Sequence, residues 1–234
     1  MANCGDIIVP IYKEKGCTSH DVIEEIRKIT KEKRVGHAGT LDPLAEGVLV
    51  VGIGRKSTKK LSEIVKKEKE YIATIKLGWR SSTDDEEGKK EKIKVSQKPS
   101  KENILKILSS FEGFIYQRPP DFSAIKVSGV PAYKLARQGK KVILPKRKVY
   151  IKKIELIDYH WPYLKIKVVC GKGVYIRSLA RDIGEKLATG GYLFDLERVR
   201  VGEFDKKDAL TIKEFRDRWE KNIFCSQRLF QSER

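Results

Sequence analysis

The 234-residue sequence lacks the features of several large classes of protein. It contains no run approaching the ~18 consecutive apolar residues that a membrane-spanning helix needs. Its first residues, MANCGDIIVPIYKEKG, carry no basic segment, and Pro10 interrupts the short apolar run that follows. A secretory leader is therefore not predicted. We expect a cytoplasmic protein that makes no contact with a membrane.

Metal-ligating and redox motifs are also missing from the sequence. The three histidines are isolated, and no C-x-x-C spacing occurs among the four cysteines, Cys4, Cys17, Cys170 and Cys225. Neither a disulfide framework nor a zinc site is predicted. The segment GIGRKS at 52–57 lacks the third glycine of a dinucleotide-binding motif, and no glycine precedes its lysine as in a P-loop. We expect no bound metal ion.

Positive charge is what the sequence has in excess. Its 50 lysines and arginines outnumber its 32 aspartates and glutamates, which leaves a formal charge of +18 at pH 7. Because these side chains neutralise phosphates, an excess of this size favours a nucleic-acid partner. A lysine- and glutamate-rich composition of the heat-stable kind is the alternative interpretation. Hydrophobic residues make up 40% of the chain, enough for a sizeable core.

Apolar periodicity predicts strands and helices that mix without strict β-α-β alternation. This pattern favours an α+β fold in which a mixed, largely antiparallel central sheet carries flanking helices. The predicted strands cover residues 7–11, 48–54, 69–77, 149–159, 164–170 and 193–201. The charged segment SSTDDEEGKKEK at 81–92 is expected to be a solvated loop. Residues 117–148, irregular and basic, are expected either to grip RNA or to form an ordinary surface excursion.

One carboxylate stands in a glycine-rich segment, GHAGTLDPLAEGVL, at residues 36–49. Glycines allow the backbone to approach a ligand closely, and Pro43 biases Asp42 toward an extended conformation. The pattern predicts a stiff loop with few bulky side chains that presents an acid. The alternative is a structural turn in which Asp42 bonds its own backbone.

Six segments together resemble the TruB family of bacterial tRNA pseudouridine synthases, which act on the uridine at position 55 in the T-loop. They are TSHDVI, VGHAGTLDPLAEGVLVVGIG, EYIATIKLG, FSAIKVSGVPAYKLARQG, GKGVYIRSLARDIGEKL and LERVRVG, in the family's order. The resemblance implies the pseudouridine synthase fold, with a catalytic domain over 1–210 and an RNA-gripping insertion over 117–148. Residues 211–234 are expected to form a short helix and tail, too short for the RNA-binding PUA domain of many members.

The resemblance also implies roles for individual residues. Asp42 matches the catalytic aspartate, and Arg177 matches the arginine that ion-pairs with it. Tyr71 matches the tyrosine that stacks on the target base, Tyr175 matches a tyrosine that contacts the substrate, and Leu196 matches the apolar residue under the flipped base. His37 matches a histidine that contacts the nucleotide or fills space in the T-loop. Lys13 matches the lysine of a K-P motif, in which Glu14 stands here in place of the proline. Taken singly, each has an ordinary structural explanation, as a core, surface or loop residue.

The implied reaction explains why these residue types are needed. Pseudouridine formation breaks the N1–C1′ bond of uridine, turns the uracil and rejoins it through C5, so this isomerisation needs no cofactor. It does need an ionised carboxylate, either as nucleophile or as base on a glycal route. Two alternatives are a non-catalytic tRNA-folding chaperone and a dyskerin-like H/ACA guide-RNA synthase. Because Asp42 and Arg177 are both present, we expect a tRNA-binding enzyme, a monomer without an obligatory protein partner.

Overall fold

The computed structural model of the protein describes residues 6–123, 125–127, 129–139, 144–222 and 224. Its α-carbon contacts divide the chain into two units, here called the first unit (Met1–Glu70 with Glu197–Arg234) and the second unit (Tyr71–Leu196). Two strands, β4 (Lys69–Leu77) and β12 (Gly191–Val201), continue from one unit into the other. Residues 225–234 of the predicted tail and residues 140–143 of the predicted insertion lie outside the described residues.

The first unit combines a mixed set of strands with three helices. Strands β1 and β2 pair antiparallel with β3, whereas the end of β12 runs parallel to β3 with Glu197 opposite Glu46. Strand β13 pairs with the end of β12. The elements are β1 (Ile7–Lys13), α1 (Ser19–Thr30), β2 (Val35–His37), β3 (Glu46–Ile53), α2 (Arg55–Ile64), β13 (Phe204–Asp205), a 3₁₀ turn (Lys206–Asp208) and α6 (Ile212–Glu220).

Capping residues set the starts of two helices of this unit. The Thr18 hydroxyl accepts a hydrogen bond from the backbone N–H of Asp21 at 3.1 Å, and the Asp21 carboxylate accepts from the Thr18 N–H at 2.7 Å. Thr211 and Glu214 form the same reciprocal pair at α6. This exchange satisfies two backbone donors that helix geometry leaves without partners. Thr18 and Thr211 therefore mark where α1 and α6 begin.

The second unit is built on a sheet with the strand order β12-β4-β11-β10-β7, in which β10 pairs antiparallel with β11 and β7. The remaining strands form two separate pairs, β5 with β6 and β8 with β9. The elements are β5 (Trp79–Ser81), β6 (Lys90–Lys92), α3 (Lys101–Ser109), β7 (Gly113–Gln117), β8 (Lys126–Val127), β9 (Val130–Pro131), α4 (Ala132–Arg137), β10 (Arg147–His160), β11 (Tyr163–Cys170) and α5 (Ile176–Lys186). Mixed strands with flanking helices confirm the predicted fold class.

Helix α5 packs closely within the second unit. Ile176, Leu179 and Ile183 lie on one face of the helix and are all buried. A Cβ atom on Gly184 would lie 2.3 Å from the backbone of Gly191, so a side chain at this position would clash. Among the described residues, no helix is both long and apolar enough to cross a membrane.

The prediction of a solvated loop over residues 81–92 is wrong. Asp85 is only 2% exposed, and β6, at the end of the segment, pairs antiparallel with β5. The physical reason is a pair of arginines on α5, which hold the two aspartates of the segment. A charge-rich sequence is solvated only where no buried partner compensates it.

Candidate active site

Asp42 lies, partly buried, in the loop that joins β2 to β3. The Ser19 hydroxyl, at the start of α1, accepts a hydrogen bond from the N–H of Leu41 at 2.8 Å and donates to the carbonyl of Leu41 at 3.0 Å. On the other side, the N–H of Gly16 donates to the carbonyl of Pro43 at 2.9 Å. The residues before and after Asp42 are thus both held by α1 and the turn that precedes it. The loop has the stiffness that its sequence predicts.

Lys13 is completely buried at the end of β1. Its Nζ donates to the carbonyls of Cys17 at 2.7 Å and Glu14 at 2.9 Å. Burial lowers the pKa of the Lys13 ammonium, while the carboxylates of Asp42 and Glu46 act in the opposite direction. The Lys13 ammonium and the Asp42 carboxylate are therefore close enough to interact. The first unit brings these two predicted site residues together.

Arg198 is a buried cation of the same unit that the sequence analysis did not single out. Its side chain is 1% exposed, and it donates from Nε to the carbonyl of Val48 at 2.8 Å and from Nη2 to the carbonyl of Gly39 at 2.9 Å. A Cβ atom on Gly47, whose φ is +108°, would lie 2.2 Å from the Arg198 carbonyl oxygen. Glycine at position 47 therefore lets β3 lie directly against Arg198. The available sequence signal was its position in β12, two residues after the apolar Leu196.

His37 ends β2 beside these groups. Burial lowers the pKa of the imidazole, and the positive charge of Arg198 lowers it further. The ring is therefore neutral at pH 7. Its Nδ1 atom is buried and makes no hydrogen bond within the described residues. The nucleotide contact that the family resemblance implies for His37 stays a prediction.

In the second unit, Arg177 lies in the first turn of α5 and is 7% exposed. It donates from Nη1 to the Asp85 carboxylate at 3.3 Å and from Nη2 to the carbonyl of Phe122 at 2.9 Å. Asp85 itself is buried and also accepts from the N–H of Glu87 at 3.0 Å. A buried guanidinium held on two sides has a defined orientation. The implied pairing of Arg177 with Asp42 joins residues of different units and stays a prediction.

One turn further along α5, Arg181 pairs with Asp84, the residue directly before Asp85. Arg181 Nη1 donates to Asp84 at 2.6 Å, and its Nε donates to Asp182 at 3.0 Å. Asp84 has a φ of +62°, and its carbonyl accepts from the N–H of Leu193 at 2.9 Å. Burial raises the pKa of the Asp84 carboxyl to about 6, because it outweighs the opposing attraction of nearby arginines. Two successive aspartates thus meet two arginines that are one helical turn apart.

The remaining predicted residues are also placed in the second unit. Tyr175 precedes α5 directly, and its N–H and carbonyl bond the side chain of Gln117 at 2.8 and 3.1 Å. This fixes the backbone at the start of the helix, next to Arg177. Tyr71 on β4 and Leu196 on β12 are buried, at 7% and 6% exposure. The roles predicted for these residues stay predictions, as does the absence of a cofactor.

The chain matches two family models along most of its length. Residues 27–176 match TruB family pseudouridylate synthase (N terminal domain), and residues 177–230 match tRNA pseudouridylate synthase B C-terminal domain. The tRNA pseudouridine synthase B of Clostridium acetobutylicum is 45% identical over 213 residues, which are 91% of this chain and 73% of that protein. The Staphylococcus aureus protein of the same name is 42% identical over 217 residues, covering 90% of this chain and 71% of the relative.

Solved structures show the same fold. The alignment with a chain of a Cbf5-Nop10-Gar1 complex covers 92% of this chain at 28% identity, with a TM-score of 0.72. A chain from an H/ACA RNP bound to a substrate RNA containing 2'-deoxyuridine is 26% identical, with a TM-score of 0.68. The alignments span 56% and 55% of those two solved chains, so the similarity extends over little more than half of each.

Proposed function

Because the chain belongs to the TruB family of pseudouridylate synthases, we propose that it converts the uridine at position 55 in the T-loop of tRNA to pseudouridine. The matching curated relatives are named tRNA pseudouridine synthase B, which supports tRNA as the substrate. The observation that supports the proposal is the hydrogen-bonded loop that carries Asp42, whose Pro43 carbonyl accepts from Gly16, three residues after the buried Lys13. The enzyme acts as a monomer in the cytoplasm, without a cofactor or an obligatory protein partner.

Asp42 is the catalytic residue in this proposal. Attraction between the Lys13 ammonium and the Asp42 carboxylate favours the ionised acid that the reaction needs. The ionised oxygen either attacks C1′ and forms an ester with it, or removes the C2′ proton and leaves a glycal, and the N1–C1′ bond breaks. The uracil turns and C5 bonds to C1′, which breaks the ester bond and releases the carboxylate or, on the glycal route, returns the proton to C2′. The C5 proton then leaves and N1 takes up a proton, so the product is an isomer of the substrate. Because Ser19 and Gly16 hold the loop on both sides, the carboxylate needs little reorganisation before it reacts.

The second unit supplies the groups that receive the base and support the acid. Arg177 keeps in this proposal the role that the family resemblance implies, that of partner to the reacting carboxylate, and Asp85 holds Arg177 through the hydrogen bond described above. Tyr71 and Leu196 contact the flipped uracil, and Tyr175 contacts the substrate. Flipping a base out of its stack costs a few kcal/mol, which these contacts offset. A loop target keeps that cost low, consistent with the usual mode of specific RNA recognition.

The replacement Asp42→Asn tests the catalytic role. We expect it to lower kcat by at least about a thousandfold, because an amide can neither attack C1′ nor remove a proton. The tRNA Kd should change by less than about threefold, since the amide keeps the size of the side chain. The measurement is tritium release from C5-labelled uridine in an unmodified tRNA transcript, with the modified position mapped.

Glu46→Gln is the matched control, since it removes the other carboxylate whose charge acts on Lys13. It should retain most of the activity. Product formation by Asp42→Asn, or an equal loss of tRNA binding, would contradict the assigned role. Tight tRNA binding by the unmodified protein without any tritium release would favour the chaperone alternative.

A further inference from the structure

Three large aromatic side chains are exposed together on one face of the second unit. Phe114 and Tyr116 on β7 are each 69% exposed, and Tyr150 on β10 is 41% exposed. Single exposed apolar residues are common on protein surfaces and need no explanation. A group of them on one sheet face is unusual and indicates an interaction site.

Strand pairing brings these residues into direct contact. Phe114 lies opposite Tyr150, and Tyr116 lies opposite Lys148. Since side chains alternate along a strand, all four project from the same face. The rings of Phe114 and Tyr150 are 5.0 Å apart between centroids, and Lys148 Nζ lies 4.6 Å from the centroid of the Phe114 ring. We call these four residues the aromatic platform.

The hydrophobic core of the unit does not use the platform. The alternate residues of the same two strands, Gln117, Val149 and Ile151, are buried on the opposite face. Packing of the core therefore explains the residues on that face, but it does not explain why the rings of the platform are apolar and exposed. Within the described residues, β7 is also the last strand of the sheet order, so the platform lies at a sheet edge.

We propose that the aromatic platform binds an unpaired segment of RNA, with bases stacked on its rings and phosphates bound by its lysine and the neighbouring cations. Exposed aromatic rings with interleaved basic side chains are the usual means of binding single-stranded nucleic acid. Lys146 is also exposed, two residues before Lys148, and it lines a groove together with Tyr116, which adds a second cation next to the platform. This inference rests on the proposed function, since it gives the substrate tRNA a second contact away from the reacting uridine.

A groove beside the platform is also lined by aromatic and basic side chains. It has a volume of about 780 Å³, and its lining includes Tyr116, four cations (Arg118, Lys146, Arg181 and Lys186) and two carboxylates (Asp182 and Glu185). A backbone that leaves the platform along this groove meets further positive charge. A peptide added to the edge of β7 is the competing occupant, but lysine is depleted in the cores of protein interfaces. The charge therefore favours RNA.

The test compares the double replacement Phe114→Ser/Tyr116→Ser with the matched control Ile157→Ser in the full chain. Ile157 is also a large apolar residue of β10, 48% exposed, and is not part of the platform. The probes are an unmodified tRNA transcript and a decamer of oligouridylate. We expect the double replacement to raise both Kd values about tenfold or more, as loss of one stacked base would. The turnover at saturating tRNA should stay unchanged, and Ile157→Ser should bind normally.

Two further variants keep the inference testable if the double replacement does not fold. Phe114→Tyr/Tyr116→Phe retains both rings and should bind like the unmodified protein. Lys148→Gln should lower the slope of log K against log salt by about one, as loss of one phosphate contact does.

Unchanged Kd values in the ring-deleting variant, or an unchanged salt slope for Lys148→Gln, would overturn the inference. A change in sedimentation with unchanged RNA affinity would assign the platform to protein contacts instead. The binding assays do not depend on catalysis. An unmodified protein that binds both RNAs through the platform but forms no pseudouridine would therefore contradict only the proposed function.

Discussion

The two units bury positive charge in different ways. In the first unit, the hydrogen bonds of Lys13 and Arg198 run to backbone carbonyls, those of Glu14, Cys17, Val48 and Gly39. Carbonyl oxygens are dipoles without a full charge, and they do not titrate. The groups that hold these two cations therefore carry no charge that could change with pH.

In the second unit, carboxylates compensate the buried arginines. Arg177 pairs with Asp85, and Arg181 pairs with Asp84 and Asp182. A carboxylate cancels the charge of its partner but must itself be desolvated, and it can be protonated. The first unit therefore holds its buried cations near the Asp42 loop without carboxylate hydrogen-bond partners. The second unit provides cations that are oriented but locally neutralised.

Removal of the Arg198 guanidinium is the change with the largest expected effect. Arg198→Leu leaves two buried carbonyls without their donor, so we expect the free energy of unfolding to fall by about 2–5 kcal/mol. Arg200→Leu is the comparison on the same strand, since the Arg200 side chain is 28% exposed and bonds the Glu70 carboxylate and only one carbonyl, that of Gly202. It should cost less than about 1 kcal/mol. Urea denaturation measures both, and equal losses would contradict the distinct role of the carbonyl-held cation.

Removal of the Asp85 carboxylate, which compensates Arg177, has the second-largest expected effect. Asp85→Asn leaves Arg177 buried without its charged partner, so we expect a loss of about 2–4 kcal/mol in the free energy of unfolding. We also expect a fall in kcat with little change in KM, because Arg177 loses its orientation. Glu87→Gln, in the same segment but exposed, is the control and should change neither quantity. An Asp85→Asn variant with normal kcat would show that Asp85 does not position Arg177.

The pH dependence of stability is the smallest expected effect. It distinguishes most clearly between cations held by carbonyls, as in the first unit, and cations held by carboxylates, as in the second. In the folded state the Asp84 pKa is about 6, above the ~3.9 of an unfolded chain, so the folded state binds this proton more tightly. The contribution of Asp84 to stability therefore rises as pH falls from about 6 to 4, and it is lost again as pH rises through 6.

The contribution of Asp84 to stability is measured as the difference in the free energy of unfolding between the unmodified protein and the Asp84→Asn variant. We expect that difference to move in favour of the unmodified protein by about 1–3 kcal/mol between pH 7 and pH 4.5. The cost of Arg198→Leu should not rise as pH falls, because the carbonyls that it leaves without a donor do not titrate and the charge of Arg198 disfavours protonation of His37. A flat difference for Asp84→Asn would remove the contrast between the two units.

Local sequence patterns predicted the elements well, because each signal involves residues close together in the chain. Thr18 and Asp21 cap α1 across three residues, and alternation over Lys69–Leu77 predicts a strand whose bounds the structure reproduces. The stiffness of the Asp42 loop was predictable in the same way, from its glycines and Pro43. The solvated loop at 81–92 was predicted wrongly, since the partner of Asp85 is Arg177, 92 residues further along the chain.

The sequence by itself determined the α+β class, the order of the elements, the excess of positive charge and, through its shared segments, the family. Only the tertiary structure decided which charges are buried and what compensates them. Asp85 and Arg198 belong to ordinary charged segments in the sequence and become core residues in the fold. The reason is physical: burial of a charge is tolerated only where distant residues bring a matching partner, and packing alone provides that partner.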